Sequence, residues 1–164
     1  MREIVFRAYD KTMKRYKPFD GEHDTMLISR DGKVDYYNLQ NGSGFDEYIL
    51  EQFTGLHDAT KWEDLTDAER DEWIKAGYTK EDWKGRRIFD GDIVGFTAEN
   101  ELWEPQYYEG TVYFCDGTFW VDCGKDSDDC DVLFSIGHAK LCDESLQIIG
   151  NIHNNPEELV EAKS

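Results

Sequence analysis

Apolar and polar residues alternate over short stretches along most of this chain. Such stretches, broken by Gly, Asp and Asn, predict β structure. From Glu3 to Tyr9, Ile4, Phe6 and Ala8 fall on one face and Val5, Arg7 and Tyr9 on the other. Met26-Leu27-Ile28 and Val34-Asp35-Tyr36-Tyr37 flank Arg30-Asp31-Gly32-Lys33, which predicts a hairpin. Asn41 to Gly44 reads as a loop, and Phe45 to Phe53 as a buried segment, helix or strand.

Residues 60–84 break the alternation. Thr66-Asp67-Ala68-Glu69 is a capping box, in which the Thr hydroxyl takes the Glu69 amide and the carboxylate reaches back. Leu65, Ala68, Trp73 and Ile74 predict an apolar stripe, and Gly77 a stop. Thr79 to Asp82 starts a second, very short helix. Trp62, Trp73 and Trp83 all lie in this insertion.

The two-residue period returns at Asp92. Ile93 to Phe96, Tyr107 to Cys115, Thr118 to Cys123, Val132 to Phe134 and Leu146 to Ile149 predict five strands. Asp116-Gly117 joins the second and third as a tight hairpin. Short strands this close together predict a small barrel or compact sandwich. Pro156 to Glu161 reads as a short helix or tail.

Composition narrows the class. At 164 residues with 14% aromatic content, the chain is globular, one domain or one with an appendage. No run approaches the ~18 apolar residues of a membrane span. Met1-Arg2-Glu3-Ile4 has no apolar signal core, which predicts a cytoplasmic protein. Cys115, Cys123, Cys130 and Cys142 are then expected as free thiols, with Cys115 and Cys123 as small core residues.

Charge changes the picture more. Thirty-six acids against eighteen bases give −18. Residues 1–87 hold 19 acids and 15 bases; residues 88–164 hold 17 acids and three bases, Lys125, Lys140 and Lys163. Such a surface repels nucleic acid and anionic lipid and attracts basic partners, although plain solubility explains it equally well.

Three signatures stand in order along the chain. Met1-Arg2-Glu3-Ile4-Val5-Phe6-Arg7-Ala8-Tyr9-Asp10 opens it, and Gln52-Phe53-Thr54-Gly55-Leu56-His57-Asp58 leads to Arg87-Ile88-Phe89-Asp90-Gly91-Asp92-Ile93-Val94. Ile149-Gly150-Asn151-Ile152-His153-Asn154-Asn155-Pro156-Glu157 closes it. Together they resemble the YopX family of phage and prophage proteins over nearly the full length. The resemblance implies an SH3-like barrel in the carboxy-terminal part and members that form homo-oligomers. It brings no activity, cofactor or catalytic residue. The stretch from Asp58 to Lys84 is longer than the family's usual connection. The expected architecture is mainly β (α+β): an amino-terminal β segment (1–59), a helical insertion (60–85), an SH3-like β-barrel (86–155) and a tail (156–164).

Candidate chemistry is sparse. Asp126-Ser127-Asp128-Asp129-Cys130-Asp131 could offer oxygens to calcium, but it lacks the glycine and distal glutamate of an EF-hand loop. A solvated acidic turn fits it better, and clustered carboxylates can also imitate phosphates for an Arg-rich groove. The four cysteines with His138 and His153 could bind zinc only without a knuckle, because their spacings are too wide. No nucleophile elbow, Walker loop or His-Glu-x-x-His appears. Asp90 and Asp92 around Gly91 read as turn residues. Glu99 to Tyr108 reads as a long loop in which Trp103, Tyr107 and Tyr108 either present a surface to a basic partner or fold back over the core. The candidate contacts are Trp103, Tyr107, Tyr108, Asp126, Asp128, Asp129, Asp131, Trp62 and Trp73.

The leading expectation is a phage-encoded, non-enzymatic interaction protein without a cofactor, engaging a basic host protein, in its sharpest form as a nucleic-acid mimic. A homo-oligomeric accessory module, joined through the Trp-bearing insertion, is one alternative. A metal-binding module or metal-dependent enzyme is another.

Overall fold

The computed structural model describes residues 5–17, 24–28, 34–38, 42–44, 48–126 and 128–154, of which 24–28, 34–38 and 42–44 are described as backbone. The chain divides at Phe53/Thr54 into two compact units. It is mainly β with two short α-helices among the described residues.

The first unit holds β1 (Phe6–Asp10), β2 (Arg15–Tyr16), β3 (Asp24–Ile28), β4 (Val34–Asn38), β5 (Gly42–Gly44) and the start of β6 (Tyr48–His57). The Asp10 carboxylate accepts the Thr12 and Met13 amides at 2.9 and 2.8 Å and turns β1 into β2. β1 pairs antiparallel with β6, from Phe6 opposite Gln52 to Asp10 opposite Tyr48. Buried Glu51 meets Arg7 Nε at 2.6 Å and the Tyr16 hydroxyl at 3.0 Å, partners that offset the cost of burying its charge. Ala8, Tyr9 and Asp10 are buried in succession, so the simple alternation expected of β1 fails where both its faces are shielded.

The hairpin expected around residues 29–33 has its two strands, β3 and β4, with Ile28 opposite Val34; its turn lies outside the described residues. Gly42-Ser43-Gly44, expected as loop, is instead the strand β5, with Tyr37 opposite Ser43. Partner strands supply the hydrogen bonds that hold glycine extended, and no local pattern announces them. The Phe45–Phe53 segment resolves as strand over its described part, β6.

The second unit takes in the rest of β6, α1 (Asp67–Lys75), β7 (Arg87–Phe89), β8 (Asp92–Glu99), β9 (Pro105–Cys115), β10 (Thr118–Lys125), β11 (Asp131–Ser135), α2 (Ile136–Cys142) and β12 (Gln147–Asn151). Within this unit, β7 lies beside β6. The other five strands form an antiparallel sheet in the order β11-β10-β9-β8-β12. Its core gathers Ile88, Val94, Phe96, Val112, Phe119, Val121 and Leu146 with Ile136 and Ala139 of α2. Asp116 and Gly117 take φ of 50° and 81°, and Cys115 stands opposite Thr118, as a two-residue hairpin requires. Of the two cysteines expected in the core, Cys123 packs against it and Cys115 does not. Cys115 is exposed beside the turn, whereas Cys123 is half-buried, with burial and then Asp122 pushing its thiol up to about 12.

The insertion carries its predicted cap. Glu69 Oε2 accepts the Thr66 amide at 2.8 Å, and Thr66 Oγ1 accepts the Glu69 amide at 3.3 Å. Arg86 adds a contact to the other carboxylate oxygen at 2.8 Å. These bonds, the Thr66 amide foremost, hold the Glu69 carboxyl down at about 2. The expected stripe is only partly formed. Leu65 is buried, but α1 buries no residue and Ile74 is 57% exposed. Trp73 instead stacks on Tyr78 and meets Trp83 edge-on. Gly77 ends the run at φ 91°, and a 3-10 turn, Lys80–Asp82, stands where the second short helix was expected. The expected tail, 156–164, lies outside the described residues.

One buried carboxylate, Asp58 at the end of the Gln52–Asp58 stretch, binds backbone just before Arg87 and just before Ile149. Asp58, 3% exposed, accepts the Thr60 amide at 3.0 Å, the Thr60 hydroxyl at 2.8 Å, the Arg86 amide at 2.8 Å and the Ile148 amide at 3.3 Å. Gly85, at φ 106°, brings the chain past it; a Cβ there would lie 2.0 Å from the Asp58 carbonyl oxygen. The Asp90-Gly91 turn is locked similarly. Asp92 accepts the Phe89 amide at 2.8 Å, and Gly91 bonds through its backbone to Val112 and Ile152. These acids serve geometry.

Candidate functional site

Consecutive antiparallel strands put alternate turns at the same end of a sheet. The β8–β9 and β10–β11 turns are therefore neighbours, opposite the Asp116-Gly117 hairpin. The first is narrow: Asn100 Oδ1 accepts the Leu102 and Glu104 amides at 2.9 and 3.0 Å, and Trp103 stands at φ 59°, 81% exposed. In the second, Asp126 Oδ1 accepts the Asp128 and Cys130 amides at 3.0 and 2.9 Å. The long loop expected from Glu99 to Tyr108 is thus shorter. β8 runs to Glu99 and β9 starts at Pro105, so Tyr107 and Tyr108 are strand residues opposite Thr97 and Phe96. Proline suits a strand's first residue, which is why it did not mark a loop here.

A groove of about 660 Å³ lies against these two turns. Glu99, Glu101, Glu109, Asp126, Asp128 and Asp131 supply its acids, and Tyr107, Tyr108, Leu133 and Phe134 its apolar and aromatic surface. Lys125 is the one base among the described residues lining it, and Asp131 Oδ1 holds it at 2.9 Å. That bond and charge raise the ammonium above its ordinary range, so it stays protonated and offsets one of the six acids. Tyr107 is 57% exposed. Tyr108 lies deeper, stacked on Phe96 with ring centroids 5.9 Å apart and close to Phe134 at 5.1 Å. Burial first, then Cys123 and Glu101, raise its phenol.

A second groove of about 720 Å³ adjoins the first and shares Glu99, Asn100, Glu101 and Phe134 with it. Trp103, His138 and Cys142 also line it. The fold thus unites Trp103, Tyr107, Tyr108, Asp126, Asp128 and Asp131 on one contiguous surface. Asp129, at φ 62°, belongs to the same turn without lining either groove. Trp62 and Trp73 lie apart, in the insertion's cluster with Trp83.

Sequence reasoning named His138 and Cys142 among zinc candidates but missed α2, which brings the two together. Ser135 Oγ accepts the His138 amide at 3.2 Å, Ile136 and Ala139 pin the helix to the sheet, and Cys142 Sγ sits 3.4 Å from His138 Nε2. The four-residue spacing of His138 and Cys142 was the available signal. Among the described residues, no group of three or more His, Cys, Asp or Glu side chains is placed to hold a metal ion, and no helix is long and apolar enough to cross a membrane.

The fold and its signatures define a class: a mainly β protein whose shared motifs lock strands together. The family model described as YopX protein matches residues 76–160, and the chain belongs to the YopX family, whose function is unknown. The crystal structure of protein YopX from Bacillus subtilis is similar in fold, with a TM-score of 0.53 and 20% identity, covering 96% of this chain and 98% of that one. No curated protein matches the chain.

Proposed function

We propose that this protein is a phage-encoded, non-enzymatic interaction module whose acidic, aromatic groove receives a basic segment of a host protein in the cytoplasm. In the sharpest form, the groove takes the place of a nucleic-acid backbone in that partner's binding site. One observation carries the reading: six carboxylates and two tyrosines share a groove in which the one base among the described residues is already paired. Guanidinium groups suit both surfaces, pairing with carboxylates and stacking on rings. The strand order β11-β10-β9-β8-β12, with a short helix before the last strand, supports the SH3-like assignment of the scaffold.

The test is binding of a short arginine-rich peptide, measured by calorimetry across ionic strengths. Asp126 has to stay, because its carboxylate builds the turn. Glu99→Gln, Glu101→Gln and Asp128→Asn remove charge without that damage. The combined variant is expected to weaken binding at least tenfold and to flatten its salt dependence. Equal affinity for variant and parent would refute the proposal.

A further inference from the structure

His138 and Cys142 make a pair that the acidic groove does not use. Both lie on the outward face of α2, four residues apart, with Nε2 and Sγ 3.4 Å from one another. A zinc-class ion binds sulfur at about 2.3 Å and imidazole nitrogen at about 2.0–2.1 Å, so a tetrahedral angle sets S and N about 3.5–3.6 Å apart. The pair already stands within a few tenths of an ångström of that bite. The mounting is firm as well, since Ile136 and Ala139 are buried beneath it and the His138 ring lies nearly parallel to Phe134, at 10°.

Two donors leave half a tetrahedral site open. Among the described residues, none completes it within the chain. Flanking the pair are Leu141, 85% exposed, and Trp103, 81% exposed, which lines the same groove as His138 and Cys142. We infer that His138 and Cys142 are one half of a Cys2His2 site for a thiophilic divalent cation of the zinc class, completed by the same pair from a second copy of this chain. On binding, each Cys142 thiol releases its proton to solvent and each His138 coordinates as neutral imidazole through Nε2. The second copy covers Leu141 and Trp103. With a net charge of −18 on each chain, apposition is opposed until the cation joins the two.

The experiment uses Co²⁺ as the metal, with the full chain carrying Cys115→Ser and Cys130→Ser and a phosphine reductant to prevent disulfides. The expected result is a thiolate-to-cobalt absorption band with tetrahedral visible bands, saturating at one metal per two chains. Light scattering should show the mass doubling with it and falling back on chelation. Cys142→Ser and His138→Gln, each added singly, should abolish both signals while the far-ultraviolet circular dichroism stays unchanged, because both side chains are exposed. No thiolate band, saturation at one metal per chain with unchanged mass, or metal-dependent doubling that survives Cys142→Ser would each overturn the inference.

Discussion

Asp58→Ala should cost far more than a typical surface change. The carboxylate is the acceptor for two well-formed backbone amides, of Thr60 and Arg86, as well as the Thr60 hydroxyl and, at longer range, the Ile148 amide. A buried donor left without an acceptor costs roughly 1–3 kcal/mol. The Thr60 hydroxyl can rotate to another partner, and losing a buried charge recovers part of its desolvation. Two stranded amides then give a net loss of about 3 kcal/mol. At about 2–4 °C per kcal/mol for a chain of this size, melting should fall by roughly 6–12 °C. All five tryptophans follow Thr54, so their emission in urea reports the second unit alone. Trp83 Nε1 donates to the Thr60 carbonyl at 2.9 Å, which places a reporter beside the perturbation. Asp58→Asn keeps one acceptor oxygen but turns an NH₂ toward donors, so about half the loss is expected. A loss below about 1 kcal/mol for Ala would refute the view that this carboxylate ties the backbone at Thr60, Arg86 and Ile148 together.

Other consequences follow from the same geometry. Gly85→Ala should destabilise the second unit by several kcal/mol in urea melts, because positive φ and the Asp58 carbonyl oxygen both oppose a Cβ; a neutral result would contradict the turn's conformation. Glu69 has its carboxyl depressed to about 2, so its contribution is complete above its ordinary value near 4.5 and fades as pH falls through about 2. Its side chain is 39% exposed, which screens that contribution to about 1 kcal/mol. The stability gap between parent and Glu69→Gln should therefore close over that acidic window, and a gap independent of pH would count against the capping network. Burial should make Cys123 the slowest thiol toward iodoacetamide, with Cys115, Cys130 and Cys142 reacting first in the native protein; mass-mapped rates in another order would be inconsistent with the fold.

Some of this architecture was legible because local chemistry decided it. The Asp116-Gly117 hairpin and the Thr66–Glu69 cap each rest on residues within a few positions of one another, as does the Phe89–Asp92 bond of the Asp90-Gly91 turn. Elements that depend on a distant partner were not. Gly42-Ser43-Gly44 becomes a strand only because β4 lies beside it. α2 contains Gly137 and is only seven residues long, and it is held by the sheet beneath rather than by propensity. Ile74 matched a helical stripe but found no surface to cover, since the aromatic cluster took the place of a core. The candidate surface was half legible. Its two loops could be named from composition, but their meeting follows from the strand order, which puts them at one end of the sheet.

The most direct test of the account is a map of where a basic ligand binds. Backbone amide shifts of the labelled protein, recorded while a short arginine-rich peptide is added, should change along 99–109 and 125–134 and collapse with added salt. Shifts concentrated on the insertion around Trp62 and Trp73, or none at all, would contradict the claim that the acidic, aromatic groove is where this protein meets its partner.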